Sequence, residues 1–229
     1  MAATTTQDFV QELKAMIRDS GKAHADYPLV KGIATGTIPL RQLQGWITQD
    51  YFYRKHVPRL AMLRYLKCTD PEIAQHLAEV VEEETEGAST GTAGHVQLFV
   101  DFAAGLGVSR EQLESARVLP GAAAHVYWAE LILHTLPWFV ALAAQIAGEG
   151  QAPRTNALLR QGLQQHYGLD EKALRFCRAH EEADVEHSSL SELIVRRYIV
   201  TPELQAQARA VVQRKLELQY DMWATYQFF

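Results

Sequence analysis

LRFCRAHEEADVEHSSLSELI, residues 174–194, repeats its apolar side chains every three or four positions: Leu174, Cys177, Leu190 and Ile194. That spacing draws one face of an α-helix. His180, Asp184 and His187 fall in the same register. The pattern His-x3-Asp-x2-His therefore puts two imidazoles and a carboxylate on successive turns of a face otherwise reserved for core. Neutral imidazole nitrogen and carboxylate oxygen are preferred ligands of iron, manganese and zinc. Glu181, Glu182 and Glu186 lie off the register and read as solvated. Taken alone, the segment also reads as a polar surface face; the apolar residues in register on both sides favour the inward reading.

Outward from this helix the same period runs almost end to end, and strand signals are nearly absent. Phe9, Leu13, Met16 and Ile17 mark a first helix. Thr37-Ile38-Pro39 opens a second, carrying Leu43, Trp46, Ile47, Asp50, Tyr53 and His56 until Pro58 bends or breaks it. Asp70-Pro71-Glu72 is an N-cap with proline at the first helical position. That third helix ends near Gly87, and a loop to Gly94 follows. A fourth helix runs from Gly94 to about Gly105, and Ser109-Arg-Glu-Gln112 is a capping box for a short fifth. Pro120 starts a long apolar helix, kinked at Pro137, that reaches Glu149-Gly150. Segments near 153–166, 170–199 and 202–228 complete the set. The fold class expected is all-α: a single compact bundle of seven to nine helices in one domain over residues 1–229, with 1–6 as a flexible N-terminus.

Two more polar groups occupy inward positions. In the third helix Ile73, Leu77, Val80 and Glu84 share a face, so Glu84 points inward while Glu82, Glu83 and Glu86 reach water. An inward carboxylate is costly unless paired or bound to a metal. His95, with Leu98 and Phe102 on its face, leans toward the core just after the glycine-rich loop. Glu149 stands between Gly148 and Gly150 at an apolar helix's C-terminus, where a carboxylate is electrostatically disfavoured without a positive partner. Glu84, His95, Glu149, His180, Asp184 and His187 together supply ligand stoichiometry for two divalent ions in a bundle core.

The chain has 229 residues, 48% of them hydrophobic, with 22 basic and 27 acidic side chains. A net charge of -5 argues against a nucleic-acid footprint. No apolar run approaches the ~20 residues of a membrane span. Two cysteines, Cys68 and Cys177, are too few for a disulfide framework, and the N-terminus lacks a signal-peptide pattern. A cytoplasmic protein with no nucleic-acid or membrane partner is expected.

At the six candidate ligands the chain resembles the haem-oxygenase-like dimetal oxidases and oxygenases, over roughly residues 25–228, and within them the chlamydial CADD-type branch. Gly36-Thr-Ile-Pro-Leu-Arg-Gln-Leu43, Glu83-Glu84-Thr-Glu-Gly87, His95-Val-Gln-Leu-Phe, Gly148-Glu149-Gly-Gln-Ala-Pro-Arg154 and His180-Glu-Glu-Ala-Asp-Val-Glu-His187 carry that likeness. The resemblance implies two Fe(II)/Fe(III) ions and no haem, O2 as co-substrate, an external electron donor, and a homodimer. It also implies oxidation of a small amine-, amino-acid- or carboxylate-containing metabolite, by N-oxygenation or oxidative C–C cleavage, with no catalytic residues beyond the metal ligands. The CADD-type branch is thought to consume its own tyrosine; that position is Val30 here, and two further tyrosines and a lysine correspond to Gly148, Phe176 and Leu159. An external substrate is therefore implied. Trp46, Tyr53, His56, Arg59, Tyr127 and Arg154 are its candidate contacts, with Arg59 and Arg154 able to clamp a carboxylate.

Two metal-free relatives of that family set the alternative. Lys215-Leu-Glu-Leu-Gln-Tyr-Asp-Met-Trp-Ala and Leu119-Pro-Gly121 resemble PqqC, the cofactorless oxidase, and Asp50-Tyr51 with Tyr53 resembles the TenA thiaminases. Under that reading the inward carboxylates and imidazoles do acid/base work on a heterocyclic cofactor precursor. The TenA nucleophilic cysteine has no counterpart after Leu136-Pro137, where Trp138 stands.

Overall fold

The helix starts marked by proline and by capping side chains are where helices begin in the computed structural model. It describes residues 5–87, 91 and 93–229, with side chains at all of these except 182–189. Among the described residues are twelve α-helices and no strand: α1 (Thr6–Asp19), α2 (Pro28–Ala34), α3 (Leu40–Arg54), α4 (Val57–Lys67), α5 (Pro71–Glu86), α6 (His95–Gly105), α7 (Arg110–Ser115), α8 (Pro120–Thr135), α9 (Trp138–Ala143), α10 (Ala152–Tyr167), α11 (Arg175–Tyr198) and α12 (Pro202–Ala224). The all-α class stands, with more and shorter helices than the seven to nine expected. Thr5 caps α1, so the helix already includes Thr6.

The extra helices have local causes. Tyr27-Pro28 starts α2, a short helix that the periodicity leaves unmarked. Pro137 breaks the apolar helix outright. The residue before it, Leu136, is extended (φ -111°, ψ 161°), as steric conflict with the proline ring requires. The chain resumes as α9, tightens into a 3₁₀ turn over Ala144–Ala147, swings at Gly148 and forms another over Glu149–Gln151. Glu149 thus opens a turn instead of ending a helix.

α12 packs along α8 and α9, α10 along α2 and α11, and α4 along α5. Two apolar clusters result. One gathers α2, α3, α6 and the C-terminal end of α12 around Trp46, Phe99, Phe102 and Trp223. The other gathers α1, α9 and the C-terminal half of α11 around Phe9, Leu13, Ile73 and Val195. Tyr53 packs against both, and the cavity described next opens beside it. No helix among the described residues is long and apolar enough to cross a membrane.

Candidate functional site

α5 and α6 meet almost end to start. Asp70 caps α5, accepting from the backbone N–H groups of Glu72 and Ile73, and Gly87 closes it in the left-handed conformation (φ 65°). Gly94 then opens α6 so close to α5 that an added Cβ would lie 2.1 Å from the Thr85 carbonyl oxygen. This approach sets His95 against the last turn of α5. Its Nε2 is 3.1 Å from Glu83 Oε1, and its Nδ1 is 3.1 Å from Glu84 Oε2 but out of hydrogen-bonding alignment.

The expectation that Glu83 reaches water is corrected: Glu83 is 2% exposed. Successive helical residues point about 100° apart. Glu83 turns toward α6 while Glu84 turns to the cavity, and the histidine of the next helix fits between them.

α11 brings His180 to the same place, its ring centroid 4.6 Å from that of His95. His180 Nδ1 lies 2.9 Å from the Phe176 carbonyl oxygen. A proton on Nδ1 donates there and leaves the Nε2 lone pair free, the tautomer a metal-binding histidine needs. Burial, with the charges of His95 and Arg54, pushes the His180 pKa down to about 3, so the ring is neutral. Burial raises the Glu84 carboxyl, but His95, His180 and Arg54 outweigh it and hold its pKa at about 2. Burial lowers the His95 pKa; Glu84 and Glu83 more than reverse that and raise it.

Glu84 and His180 line a cavity of about 80 Å³ with Glu149, Tyr53 and Trp46. Glu149 accepts from Gln145 Nε2 and lies 3.7 Å from Arg64, the kind of positive partner its position called for. The side chains of Asp184 and His187 lie outside the described residues. Among the described residues no three His, Cys, Asp or Glu side chains form a group able to hold an ion. The donor chemistry nonetheless fits a divalent metal: an unaligned buried imidazole nitrogen on His95, a free nitrogen on His180 and two adjacent carboxylates.

Of the six candidate substrate contacts, Trp46 and Tyr53 line this cavity. His56 is half-buried, packed on Phe52 with Nδ1 against its carbonyl oxygen. Arg59 pairs with Glu130 at the surface, and Tyr127 is 62% exposed. Arg154 faces a separate outer pocket beside Lys14, Arg18 and Gln151.

Four groups on the chamber or just behind its wall are not among the candidate site residues, although Asp50 and Lys215 belong to the stretches that resemble TenA and PqqC. Arg54 is held by Asp50 (Nε to Oδ2, 3.0 Å) with Phe176 under its guanidinium at 4.9 Å. Asp50 also accepts from Trp223 Nε1 at 3.1 Å. Lys215 is 3% exposed, and its Nζ lies 2.8 Å from Nε2 of His125, itself fully buried. Burial, Arg64 and Arg54 bring the Lys215 pKa down to about 7 despite Glu149 and Asp50. Burial and the Lys215 charge lower His125 too. A signal existed: Ala208, Val212, Lys215, Gln219 and Met222 share one apolar register of α12.

Comparison with known proteins bears on this arrangement. The iron-containing redox enzyme family matches residues 44–220. The 4-aminobenzoate synthase of Nitrosomonas europaea is 28% identical over 91% of this chain and 87% of its own length. The pyrroloquinoline-quinone synthase of Pseudomonas aeruginosa PAO1 is 26% identical over 92% of this chain and 84% of its own. A TenA homologue from Pseudomonas syringae superimposes with a TM-score of 0.80 at 16% identity, covering 97% of this chain and 92% of that one. That last likeness is one of fold.

Proposed function

Because this chain belongs to the iron-containing redox enzyme family, we propose that it is an O2-dependent diiron oxidase or oxygenase acting on a small amine-, amino-acid- or carboxylate-containing metabolite. Glu84, His95 and His180 would hold iron at the cavity wall, with Glu149, Asp184 and His187 completing the set. When bound, iron supplies O2 activation for N-oxygenation or oxidative C–C cleavage. An external donor supplies electrons, and the working form is a cytoplasmic homodimer of single-domain chains.

The observation that carries the reading is the His95 imidazole set between Glu83 and Glu84 with the neutral His180 ring beside it, Glu84 and His180 lining the cavity. These residues have a defined task. Phe176 fixes the His180 tautomer, and Glu84 stays ionised at neutral pH. The aromatic walls of Trp46, Tyr53 and Phe176 exclude water from the reacting centre. The cavity also suits an acidic group on the substrate. Lys215 has no carboxylate within ion-pair distance among the described residues, and Arg64 and Arg54 raise the local positive potential.

The test is anaerobic loading with Fe(II) followed by metal analysis and O2 uptake. About two equivalents of iron and O2 consumption are expected of the native chain, with both lost in His180→Ala and His187→Ala. Iron content unchanged in those variants would overturn the reading.

A second reading is favoured by one pair. Lys215 and His125 form a buried donor–acceptor couple with a lysine pKa near 7. This is the kind of group a metal-free catalyst of the pyrroloquinoline-quinone synthase type would use to move protons on a heterocyclic precursor. Under this reading activity survives rigorous chelation and fails in Lys215→Met.

A further inference from the structure

The wall of the chamber is thin where two 3₁₀ turns meet, one over His24–Asp26 and one over Glu149–Gln151. An outer pocket of about 390 Å³ lies on the other side, a volume within the range of small-molecule pockets. Neighbouring residues of the same segments face opposite ways. His24 lines the chamber, while Ala23 and Ala25 on either side of it line the outer pocket. Glu149 lines the chamber, and Gly150 and Gln151 after it line the outer pocket. Thr155, on the first turns of α10, is buried and lines both. The partition between the two spaces is therefore a single layer of chain.

One side chain ties the two turns together. Gln151 Oε1 accepts from the backbone N–H of His24 at 2.8 Å, and its Nε2 donates to the Ala147 carbonyl oxygen at 2.6 Å. The turn over Glu149–Gln151 contains no buried residue, so it can swing without exposing core. Releasing two hydrogen bonds is a small cost beside unfolding a packed helix. The charges of the outer pocket then decide what is drawn to it. Lys14 pairs with Glu192, Arg18 with Asp19 and Asp26 with Lys31. Arg154, exposed beside Thr155, has no ion-pair partner among the described residues. A free guanidinium attracts carboxylates and offers them a planar fork of donors. On the inner side Lys215 likewise has no carboxylate within ion-pair distance among the described residues. An uncommitted cation thus stands on each side of the partition.

We propose that the outer pocket is the entrance to the chamber, where a small carboxylate docks on Arg154 and passes between the two turns when Gln151 releases them. This rests on the reading of the cavity as the oxidase's substrate chamber and adds the route to it and the first contact on that route. Arg154 acts on capture alone, since it stands outside the partition. Lys215 receives the acidic group inside, and the side chain of Gln151 is the latch between them.

Cys177 reports passage, because it lines the chamber and is 1% exposed. The full chain carrying Cys68→Ser, without added metal, is treated with two methanethiosulfonates of similar size, a neutral propyl reagent and an anionic sulfonatoethyl one. Labelling of Cys177 is followed by mass spectrometry. Gln151→Ala should speed both reagents by about tenfold. Ala25→Trp, which fills the outer pocket from the His24 turn, should slow both. Arg154→Gln should slow the anionic reagent roughly threefold and leave the neutral one unchanged. Rates unmoved by Gln151→Ala and Ala25→Trp, or no labelling of either the native chain or Gln151→Ala, overturn the proposal. So does a gain in Gln151→Ala that only matches its loss of stability in urea unfolding, and so does equal slowing of both reagents in Arg154→Gln. Iron content after loading, measured on the same preparations, separates these outcomes from the larger reading. Two irons with labelling unmoved sinks the entrance alone. Labelling that follows the partition in a chain that takes no iron keeps the entrance and sinks the oxidase.

Discussion

His95 and His125 are both buried behind side chains that line the same chamber, yet their surroundings push them in opposite directions. His95 stands between two carboxylates and is drawn toward the protonated or metal-bound form. His125 stands against a lysine and is held neutral. One residue type is thus drawn toward its protonated form beside one wall and held neutral beside the other. The difference comes from which helix end is packed against it: the acidic end of α5 for His95, and the interior of α12 for His125.

The largest effect that would break this contrast lies on the acidic wall. His95→Ala should lower iron affinity by at least about 100-fold and cost roughly 3 kcal/mol in urea unfolding, since the buried Glu84 carboxylate loses its imidazole neighbour. Iron binding within a few-fold of native would place the ligands elsewhere.

The lysine wall comes next and is read through pH. The folded Lys215 pKa near 7 lies below the ordinary 10.5. Between those values the unfolded chain holds more protons, so stability rises with pH through that window and this gain is lost as pH falls toward 7. The gain is on the order of 5 kcal/mol at most. Lys215→Met should flatten the rise, seen by comparing unfolding of the two proteins at pH 7 and pH 9.5. A parallel slope in the variant would mean that Lys215 is not the group responsible.

A smaller effect tests how the acidic wall is built. Gly94→Ala puts a methyl against the Thr85 carbonyl oxygen, which is backbone and yields little. We expect a loss of about 2 kcal/mol in stability and reduced iron retention, because α6 must move away from α5. Unchanged melting would show that the helix junction has slack.

The smallest effect is a surface control. Arg197 reaches Asp70 and Glu72 from the end of α11 and is about one-third exposed. Arg197→Ala should cost less than about 1 kcal/mol and leave iron content alone. A larger loss would tie the α5–α11 junction to the site.

Much of this architecture is legible in residue order. The caps Asp70, Ser109 and Thr201 and the prolines after Asp70, Leu119 and Thr201 start helices where they stand. The placement of Glu84 and His180 on the chamber follows from stripe spacing alone. Glu83 was not legible, because a helical stripe identifies one buried face and α5 buries two near its end, one against α6 and one against the chamber. Lys215 was legible in principle from its place in the α12 register, but a lysine ordinarily extends its ammonium to water. Its burial is decided by α8, which covers it with His125. Arg59, Tyr127 and Arg154 carry suitable chemistry for a substrate contact and stand away from the chamber; nothing in their spacing distinguishes them from Arg54 and Arg64.

The sequence by itself determined the helical class and the start of nearly every long helix, because caps, prolines and a 3.6-residue period act within a few residues of each other. It also determined that carboxylates and imidazoles would be driven inward, since an apolar register leaves them no other side. Tertiary structure alone decided which of them meet. His95 reaches Glu83 and Glu84 only because Gly94 lets two helix ends abut, and His180 reaches His95 only through the packing of α11 against α6. Trp46, His24 and Gln219, far apart in the chain, share one wall through Trp223. Such encounters depend on the distance between helix axes, which no local propensity encodes.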